Sequence, residues 1–284
     1  MIHLGFVIMN IFVCVKQVPD TASKIQIAAD QKSIVTQGLS YVMSPYDEYG
    51  LEEALRMKES LSGNAEVTLV TIGLERATET LRAGMAMGAD SAIHVKLDHP
   101  LLGSSGILPY EGALQNLILA ELLAKVLTKH PFDLIFCGKQ SVDDGSGQVG
   151  PMLAEKLGIP YSTFVVEPKL VGDKKLEFHR EVEGGIVEIY EAELPILLTA
   201  EKGPHEPRYA SLPGIMKAKQ KPITQYTLTD LSLTQQEIEE MGKQIELVAL
   251  EYPPQRKQGK VIEGTPEEAV KELVRLLHEE AKVI

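Results

Sequence analysis

Residues 133–158 have the sequence DLIFCGKQSVDDGSGQVGPMLAEKLG, and their pattern decides the fold class. An apolar run at 133–137 precedes a polar loop with glycines and two adjacent aspartates, and Met152, Leu153 and Leu157 then favour a helix. Glycine adopts positive φ readily and suits a sharp turn between strand and helix. Such a loop, at the amino end of a helix, is either an anion site or a plain tight turn.

The same alternation of strand and helix occurs on the amino-terminal side of this unit. Strands are predicted at 10–18, 66–73, 91–97 and 133–140, and helices at 75–87 and 111–130. Another helix begins near Ser44, which can cap it, with Pro45 at its first position. Alternation at this spacing indicates βαβ units and therefore a parallel sheet.

The pattern changes after residue 158. Short strand-like segments at 162–199, with a turn at Gly184 and Gly185, predict antiparallel strands added to the sheet. From about 203 the apolar periodicity disappears until a helix near 266–282, which predicts an extended arm that needs another surface for its order.

The expected fold is therefore α/β, with a mostly parallel twisted sheet and helices on both faces, of the Rossmann-like, nucleotide-binding type. Antiparallel strands and a C-terminal arm complete it. The expected organisation is an extension at 1–8, an α/β domain at 9–202, and a loop and arm at 203–284 that need a partner surface.

Composition excludes several classes of function. The chain has 284 residues and a formal net charge of −12, which argues against binding nucleic acid or anionic membranes. Cys14 and Cys137 lie in apolar runs and form no disulfide or zinc pattern, so we expect a reducing cytoplasm, with membrane contact only through partners. No apolar run is long enough to span a bilayer, and the first residues make a poor signal peptide.

Enzyme motifs do not assign a reaction. The sequence has no Walker loop, no Gly-x-Ser-x-Gly elbow and no Gly-x-Gly-x-x-Gly after the first strand, and its histidines have no metal-ligand spacing, so no metal site is expected. The topology nevertheless brings the loops that follow three strands together in a crevice. There, Gly145, Gly147 and the N–H groups near Gln148 could hold phosphate oxygens.

Five motifs carry a family resemblance. In chain order they are VKQVPD at 15–20, SPYD at 44–47, GKQSVDD at 138–144, REVEGG at 180–185 and EPRYASLP at 206–213. Together they resemble the electron transfer flavoprotein β subunit. The resemblance implies a heterodimer whose α subunit carries FAD, with AMP or a second FAD in the crevice of the β subunit.

The resemblance also implies roles for individual residues. Glu181 would be the catalytic residue near the α-subunit flavin, although a solvated hairpin charge is the alternative; Leu212, with Met216, would dock a partner. The nucleotide-binding residues would be Cys14, Lys16, Ser44, Pro45, Tyr46, Asp47, Ile72, Gly138, Lys139, Gln140, Ser141, Val142, Asp143, Asp144, Gly145, Ser146, Gly147, Gln148 and Val149. The family usually has Asn where Ser44 stands.

The choice between FAD and AMP depends on the loop at 143–151. It resembles the bifurcating branch of the family, and small residues at Gly145 and Gly147 leave room for a dinucleotide. This favours FAD here and NADH as donor, with one electron going to a dehydrogenase or quinone oxidoreductase and the other to ferredoxin or flavodoxin. The complex would then be an NADH-dependent oxidoreductase.

Two alternatives remain open at this point. The first is a non-bifurcating β subunit with structural AMP, and the second is a nucleotide-binding regulatory protein of the stress-protein type. An insertion at 99–110 suggests only a contact between subunits.

Overall fold

The computed structural model describes residues 8–97, 112–172, 174–242, 247–254, 259 and 261–284. Their contacts divide the chain into a large unit that ends at Leu250 and a small C-terminal unit, Glu251–Ile284. The insertion expected at 99–110, and the expected extension up to residue 7, lie outside the described residues.

The large unit contains a nine-stranded sheet and a separate two-stranded one. The strands are β1 (Met9–Cys14), β2 (Gln17–Pro19), β3 (Tyr41–Met43), β4 (Ala65–Gly73), β5 (Ser91–Lys96), β6 (Leu134–Gly138), β7 (Tyr161–Leu170), β8 (Lys175–Val182), β9 (Ile186–Glu193), β10 (Ile196–Ala200) and β11 (Ile223–Tyr226). The large sheet has the order β11-β5-β4-β1-β6-β10-β7-β8-β9, and its neighbours from β11 to β7 are parallel. Strands β8 and β9 are antiparallel additions, so the predicted fold class is confirmed.

Helices cover both faces of this sheet. They are α1 (Pro45–Ser60), α2 (Ala77–Met87), α3 (Gly112–Leu127), α4 (Val149–Leu157), α5 (Leu212–Ala218) and α6 (Gln235–Gly242). Helices α1, α2 and α5 contribute to the core on one face, and α3, α4 and α6 to the core on the other. Because β1 lies between two such layers, Ile11 and Val13 are buried on one side and Phe12 and Cys14 on the other, which explains its continuous apolar run.

The strand predicted over 10–18 is shorter than expected. It ends at Cys14, and Gln17–Pro19 instead pairs antiparallel with β3 in the small sheet. The chain leaves the large sheet because the backbone N–H of Lys16 donates to the carboxylate of Asp47 and not to a neighbouring strand. The prediction over 10–18 therefore continued the strand past Lys16 and Gln17, where a distant side chain ends it.

The region after 203 also differs from its prediction. Strand β11 pairs in parallel with β5 as an edge of the large sheet, and Ala218, Leu231 and Ile238 are buried in the two cores. The contacts divide the chain after Leu250. Elements of four to eight residues contain too few apolar positions to show a period in the sequence.

The small unit contains one helix, α7 (Pro266–Arg275), among its described residues, continued by a π-helical turn, Leu276–Glu280. Thr265 caps it and forms a capping box with Glu268, as two reciprocal hydrogen bonds show. This confirms the start of the helix predicted near 266. Val270 and Val274 lie exposed on it.

Candidate functional site

A crevice opens at the carboxyl ends of β1, β4 and β6, beside the amino-terminal turns of α3 and α4. Its cavity volume is about 90 Å³, and the space counted out to its open mouth is about 660 Å³. Its lining consists of Cys14, Val15, Lys16, Asp47, Val70, Thr71, Ile72, Asn116, Leu119, Leu123, Cys137, Gly138, Lys139, Gln140, Ser141, Asp144, Ser146, Gly147, Gln148, Val149 and Gly150. Open α/β sheets bind their ligands at this edge.

Asp47 holds two of the strand ends together. Its carboxylate accepts the backbone N–H of Lys16 at 2.7 Å and that of Gly138 at 2.9 Å, which joins the exit of β1 to the end of β6. Burial raises the pKa of Asp47 to about 7, although both N–H donors act in the opposite direction. Asp47 is therefore a structural bridge under the crevice whose charge changes near neutral pH.

Lys16 fastens the loop that follows β6. Its ammonium group lies 2.9 Å from Asp143 Oδ1, 3.3 Å from Asp144 Oδ2 and 3.2 Å from Ser141 Oγ. Burial tends to raise the pKa of Asp144, but the charge of Lys16 and hydrogen bonds from Ser146 and Ser141 hold it below its ordinary value. The adjacent aspartates therefore shape the loop, because Asp144 is occupied with bonds to its own neighbours.

Glycines allow this loop to turn and the backbone to pack closely. Gly145 and Gly147 have φ of 63° and 62°, in the left-handed region that other residues rarely adopt. At Gly138 a Cβ would lie 2.5 Å from Asp47 Oδ1, and at Gly150 it would lie 2.6 Å from Thr199 Cγ2. Gly145 and Gly147 therefore allow the loop to turn, and Gly138 and Gly150 allow the backbone to pack closely under the crevice.

Apolar side chains from β4 and α3 form one wall of the crevice. Val70 and Ile72 at the end of β4 form it together with Leu119 and Leu123 of α3. Cys14 and Cys137 are free and buried, and the hydrogen bond to Cys14, together with burial, raises the pKa of the Cys137 thiol well above its ordinary value. Apolar side chains opposite backbone N–H groups suit a ligand with a planar ring and an anionic group.

Asn116 adds one polar side chain to this wall. It is 1% exposed, its Nδ2 lies 3.5 Å from Gln148 Oε1, and its Oδ1 has no hydrogen-bond partner among the described residues. A buried acceptor without a partner costs about 1–3 kcal/mol, which a bound donor would recover.

Comparison with known proteins connects this fold and crevice to a family. The family model described as "Electron transfer flavoprotein domain" matches residues 31–231. The chain belongs to the electron transfer flavoprotein family.

Similar proteins are named as the β subunit of this flavoprotein. The chain is 40% identical over 276 residues to "Electron transfer flavoprotein subunit beta" of Bacillus subtilis, covering 97% of this chain and 100% of that protein. It is 39% identical to the mitochondrial β subunit of Arabidopsis thaliana, covering 97% and 100%. It is 38% identical to the human β subunit, covering 90% and 94%. The resemblance drawn from the five motifs is confirmed, and an α subunit is the implied partner of such a β subunit.

Most of the nucleotide-binding residues that the electron transfer flavoprotein motifs imply lie in the lining of the crevice. Those that line it are Cys14, Lys16, Asp47, Ile72, Gly138, Lys139, Gln140, Ser141, Asp144, Ser146, Gly147, Gln148 and Val149. Ser44, Pro45, Tyr46, Val142, Asp143 and Gly145 do not line it. Ser44 also makes no side-chain cap: its buried Oγ has no partner, while its carbonyl accepts the N–H of Asp47.

Sequence reasoning missed the part of the crevice that α3 and the strand ends contribute. Val15, Thr71 and Gly150 lie in the three loops expected there, whereas the residues missed are Val70, Asn116, Leu119, Leu123 and Cys137. Asn116, Leu119 and Leu123 follow one another at helical spacing, so a polar residue among apolar ones on one face was the available signal.

The remaining predicted residues lie elsewhere. Glu181 is exposed near the end of β8, opposite Val187 of β9. Leu212 begins α5 and is 80% exposed, and Met216 of the same helix is 63% exposed. Within the described part of the chain, no helix could cross a membrane, and no three His, Cys, Asp or Glu side chains gather as a metal site would require.

Proposed function

We propose that this β subunit binds FAD in the crevice and works as the NADH-oxidising half of a bifurcating electron transfer flavoprotein. The observation that carries the proposal is the open crevice between an apolar wall and a loop with glycines at 145 and 147. Gly145 does not itself line the crevice, but a Cβ there would meet no atom within 4 Å, so the loop beside the crevice is open. This open loop favours a ligand longer than a mononucleotide in the proposal.

The residues present fit an adenine dinucleotide. Backbone N–H groups at the start of α4, with the helix dipole, favour phosphate oxygens near Ser146, Gly147 and Gln148. Ile72 and Leu123 offer a flat apolar surface to a ring, and Asn116 Oδ1 offers an acceptor to a ligand donor. When bound, FAD would supply hydride acceptance and one-electron transfer, while this chain binds it, orients it and excludes water.

Contacts with the α subunit belong to other surfaces in this proposal. Glu181 lies on an exposed hairpin and would face the FAD of the α subunit, where its carboxylate would influence the flavin's charge. The small unit, Glu251–Ile284, would pack on the α subunit through the exposed apolar residues of α7, Val270 and Val274. Because an exposed carboxylate is stable in water without a partner, the role of Glu181 can be tested only in the complex with the α subunit.

Transfer out of the complex would use α5. Leu212 and Met216 expose apolar surface on a helix that starts with a proline-bounded turn, and a few residues near the centre of an interface carry most of its binding energy. The partners in this proposal are a dehydrogenase or quinone oxidoreductase for one electron and ferredoxin or flavodoxin for the other.

The cofactor content of the purified heterodimer tests the proposal. Two FAD per heterodimer, both bleached by NADH, are the expected result. One FAD with one AMP would replace the proposal by a non-bifurcating β subunit with structural AMP. Two FAD that NADH fails to reduce would retain the FAD site and remove bifurcation. A nucleotide-binding chain that never associates with an α subunit would favour the regulatory alternative.

A further inference from the structure

Helix α5 follows a segment without regular structure. Residues 201–211, here called the connecting segment, link β10 to α5 and contain no helix or strand. Tyr209, next to the helix, is 98% exposed, and Leu212 follows it at 80%. A segment of this kind orders only where specific contacts offset its conformational entropy.

The hydrogen bonds that order the connecting segment are made with side chains of α1, most of them acidic. His205 Nδ1 lies 2.8 Å from Glu53 Oε1, and Glu206 accepts a hydrogen bond from the hydroxyl of Tyr49 at 2.9 Å. Glu53 is buried at 7% exposure, and its burial raises its pKa. These bonds fix the first half of the segment.

Arg208 makes the densest set of these contacts. Its Nε and Nη2 each lie 2.8 Å from an oxygen of Glu52, a two-point pair, and its backbone N–H donates to Glu52 as well at 3.1 Å. Its Nη1 and Nη2 also bond to Glu59, about two turns further along α1. Glu52 is 4% exposed, and although burial tends to raise its pKa, the bonds from Arg208 hold it below its ordinary value.

The other end of α5 has anchors of its own. Arg82 of α2 donates to the carbonyl oxygens of Ala218 and Lys221, the former at the end of α5. Gly214, in the first turn, also lies close to α2, since a Cβ there would be 2.4 Å from the carbonyl oxygen of Ala86. Loss of Arg208 should therefore loosen the residues that precede Gly214, Leu212 among them, and leave the carboxyl-terminal end attached.

We propose that Arg208 is a positioning residue for docking: its grip on Glu52 and Glu59 holds the first turn of α5 in the geometry that the electron acceptor binds. This inference rests on the proposed docking role of Leu212. If the helix is already ordered before the partner binds, less conformational entropy is lost on binding. The guanidinium fork suits this task because it fixes direction as well as distance, which a lysine ammonium does not.

Hydrogen–deuterium exchange on the heterodimer gives the direct test. The N–H groups of Gly214 and Ile215 bond to Ser211, so they report the first turn of α5. Arg208→Gln should speed their exchange at least tenfold, Arg208→Lys by less, and neither should alter the amides of the sheet strand β4. Unchanged exchange in Arg208→Gln would overturn the inference. Val67→Ala, a substitution in the core of β4 that lowers melting temperature, controls for general loosening.

Steady-state transfer to a flavin-dependent dehydrogenase completes the test. Arg208→Gln should raise KM for the dehydrogenase about five- to twentyfold, Arg208→Lys less, with kcat within twofold. Reduction of dichlorophenolindophenol, a small dye that needs no docking, should be unchanged. In the Leu212→Ala background the effect of Arg208→Gln should shrink, because both act through one helix.

The outcomes separate the inference from the function it rests on. If Leu212→Ala raises KM while Arg208→Gln does not, docking stands and positioning fails. If Leu212→Ala leaves KM unchanged, the docking role itself fails. Equal KM increases in Arg208→Gln and Val67→Ala would assign the effect to stability alone and would also overturn the positioning role.

Discussion

The crevice and α5 are built in opposite ways on one domain. Around the crevice, Asp47 and Lys16 join strand ends and loop through short hydrogen bonds, and the atoms involved are mostly hidden from water. On α5, Leu212 and Met216 are exposed, and the ion pair of Arg208 with Glu52, in the segment before the helix, ties that segment to α1. Binding a small ligand requires a rigid, partly dry cavity, whereas docking a protein requires accessible apolar surface on a fixed support.

This difference predicts which property of the protein a substitution in each region should change. A change in the crevice alters backbone packing and should reduce both stability and nucleotide content. A change on α5 should leave both intact and weaken only the encounter with a partner. Four substitutions test this contrast, from the largest expected effect to the smallest.

Gly138→Ala should have the largest effect. Its Cβ would lie 2.5 Å from Asp47 Oδ1 and 2.8 Å from Tyr46 Cβ, so β6 or α1 must shift and the Asp47 bridge must open. We expect a loss of about 2–4 kcal/mol in the free energy of unfolding and loss of bound nucleotide. Denaturant unfolding and cofactor content measure both. Gly172→Ala is the matched control, since its Cβ would meet only ordinary contact at 3.9 Å; normal nucleotide content in Gly138→Ala would contradict the close-packing account.

Asp47→Asn should come next and should change the pH dependence of stability. The folded pKa of about 7 exceeds the ordinary 3.8, so the folded chain holds this proton more tightly and the contribution of Asp47 to stability declines as pH rises from about 4 to about 7. The amide accepts one N–H but turns its own donor toward the other, which costs about 1–3 kcal/mol.

Melting temperatures between pH 5 and 8 measure this pH dependence of stability. The decline expected for the wild-type protein over that range should be smaller in Asp47→Asn. Asp30→Asn, which removes a fully exposed carboxyl whose pKa is lowered, should keep the wild-type slope. Parallel profiles in the wild type and Asp47→Asn would show that Asp47 does not titrate there.

Leu212→Ala should separate the two regions most cleanly. Because its side chain is 80% exposed, melting temperature and flavin content should stay unchanged, while partner binding should weaken by about 1–2 kcal/mol, mainly through faster dissociation. Surface plasmon resonance with the dehydrogenase measures the rates, and Val248→Ala, another exposed apolar residue, is the control. A fall in stability of about 2–5 kcal/mol, the usual cost for a core leucine, would place Leu212 in the core of a packed assembly.

Lys16→Met should give the smallest effect. The lysine is partly exposed, and its bonds to Asp143 and Asp144 fasten the loop, so we expect about 0.5–1 kcal/mol less stability and severalfold faster nucleotide release. The release rate, followed by flavin fluorescence, should respond to salt in the wild type more than in the variant. Lys175→Met, in an exposed pair with Glu191, is the control.

The sequence predicted what repeats along the chain or has local causes. Buried parallel strands favour continuous apolar runs, and glycine is favoured where φ is positive, so the run at 133–137 and Gly145 and Gly147 identified the strand and the turn that follows it. The order of these units placed a crevice at the carboxyl edge of the sheet, and the ordered motifs indicated the family.

Tertiary structure alone decided the contacts between segments far apart in the chain. The bridge from Asp47 to Gly138 spans 91 positions and the pair of Arg208 with Glu52 spans 156, and no local pattern encodes either one. The short β11 became part of the sheet only because β5 offered an open edge. Asn116 joined the crevice because α3 packs with its first turns at that edge. Local sequence sets backbone preference and burial, whereas the partner of a polar side chain is settled only when distant segments have packed together.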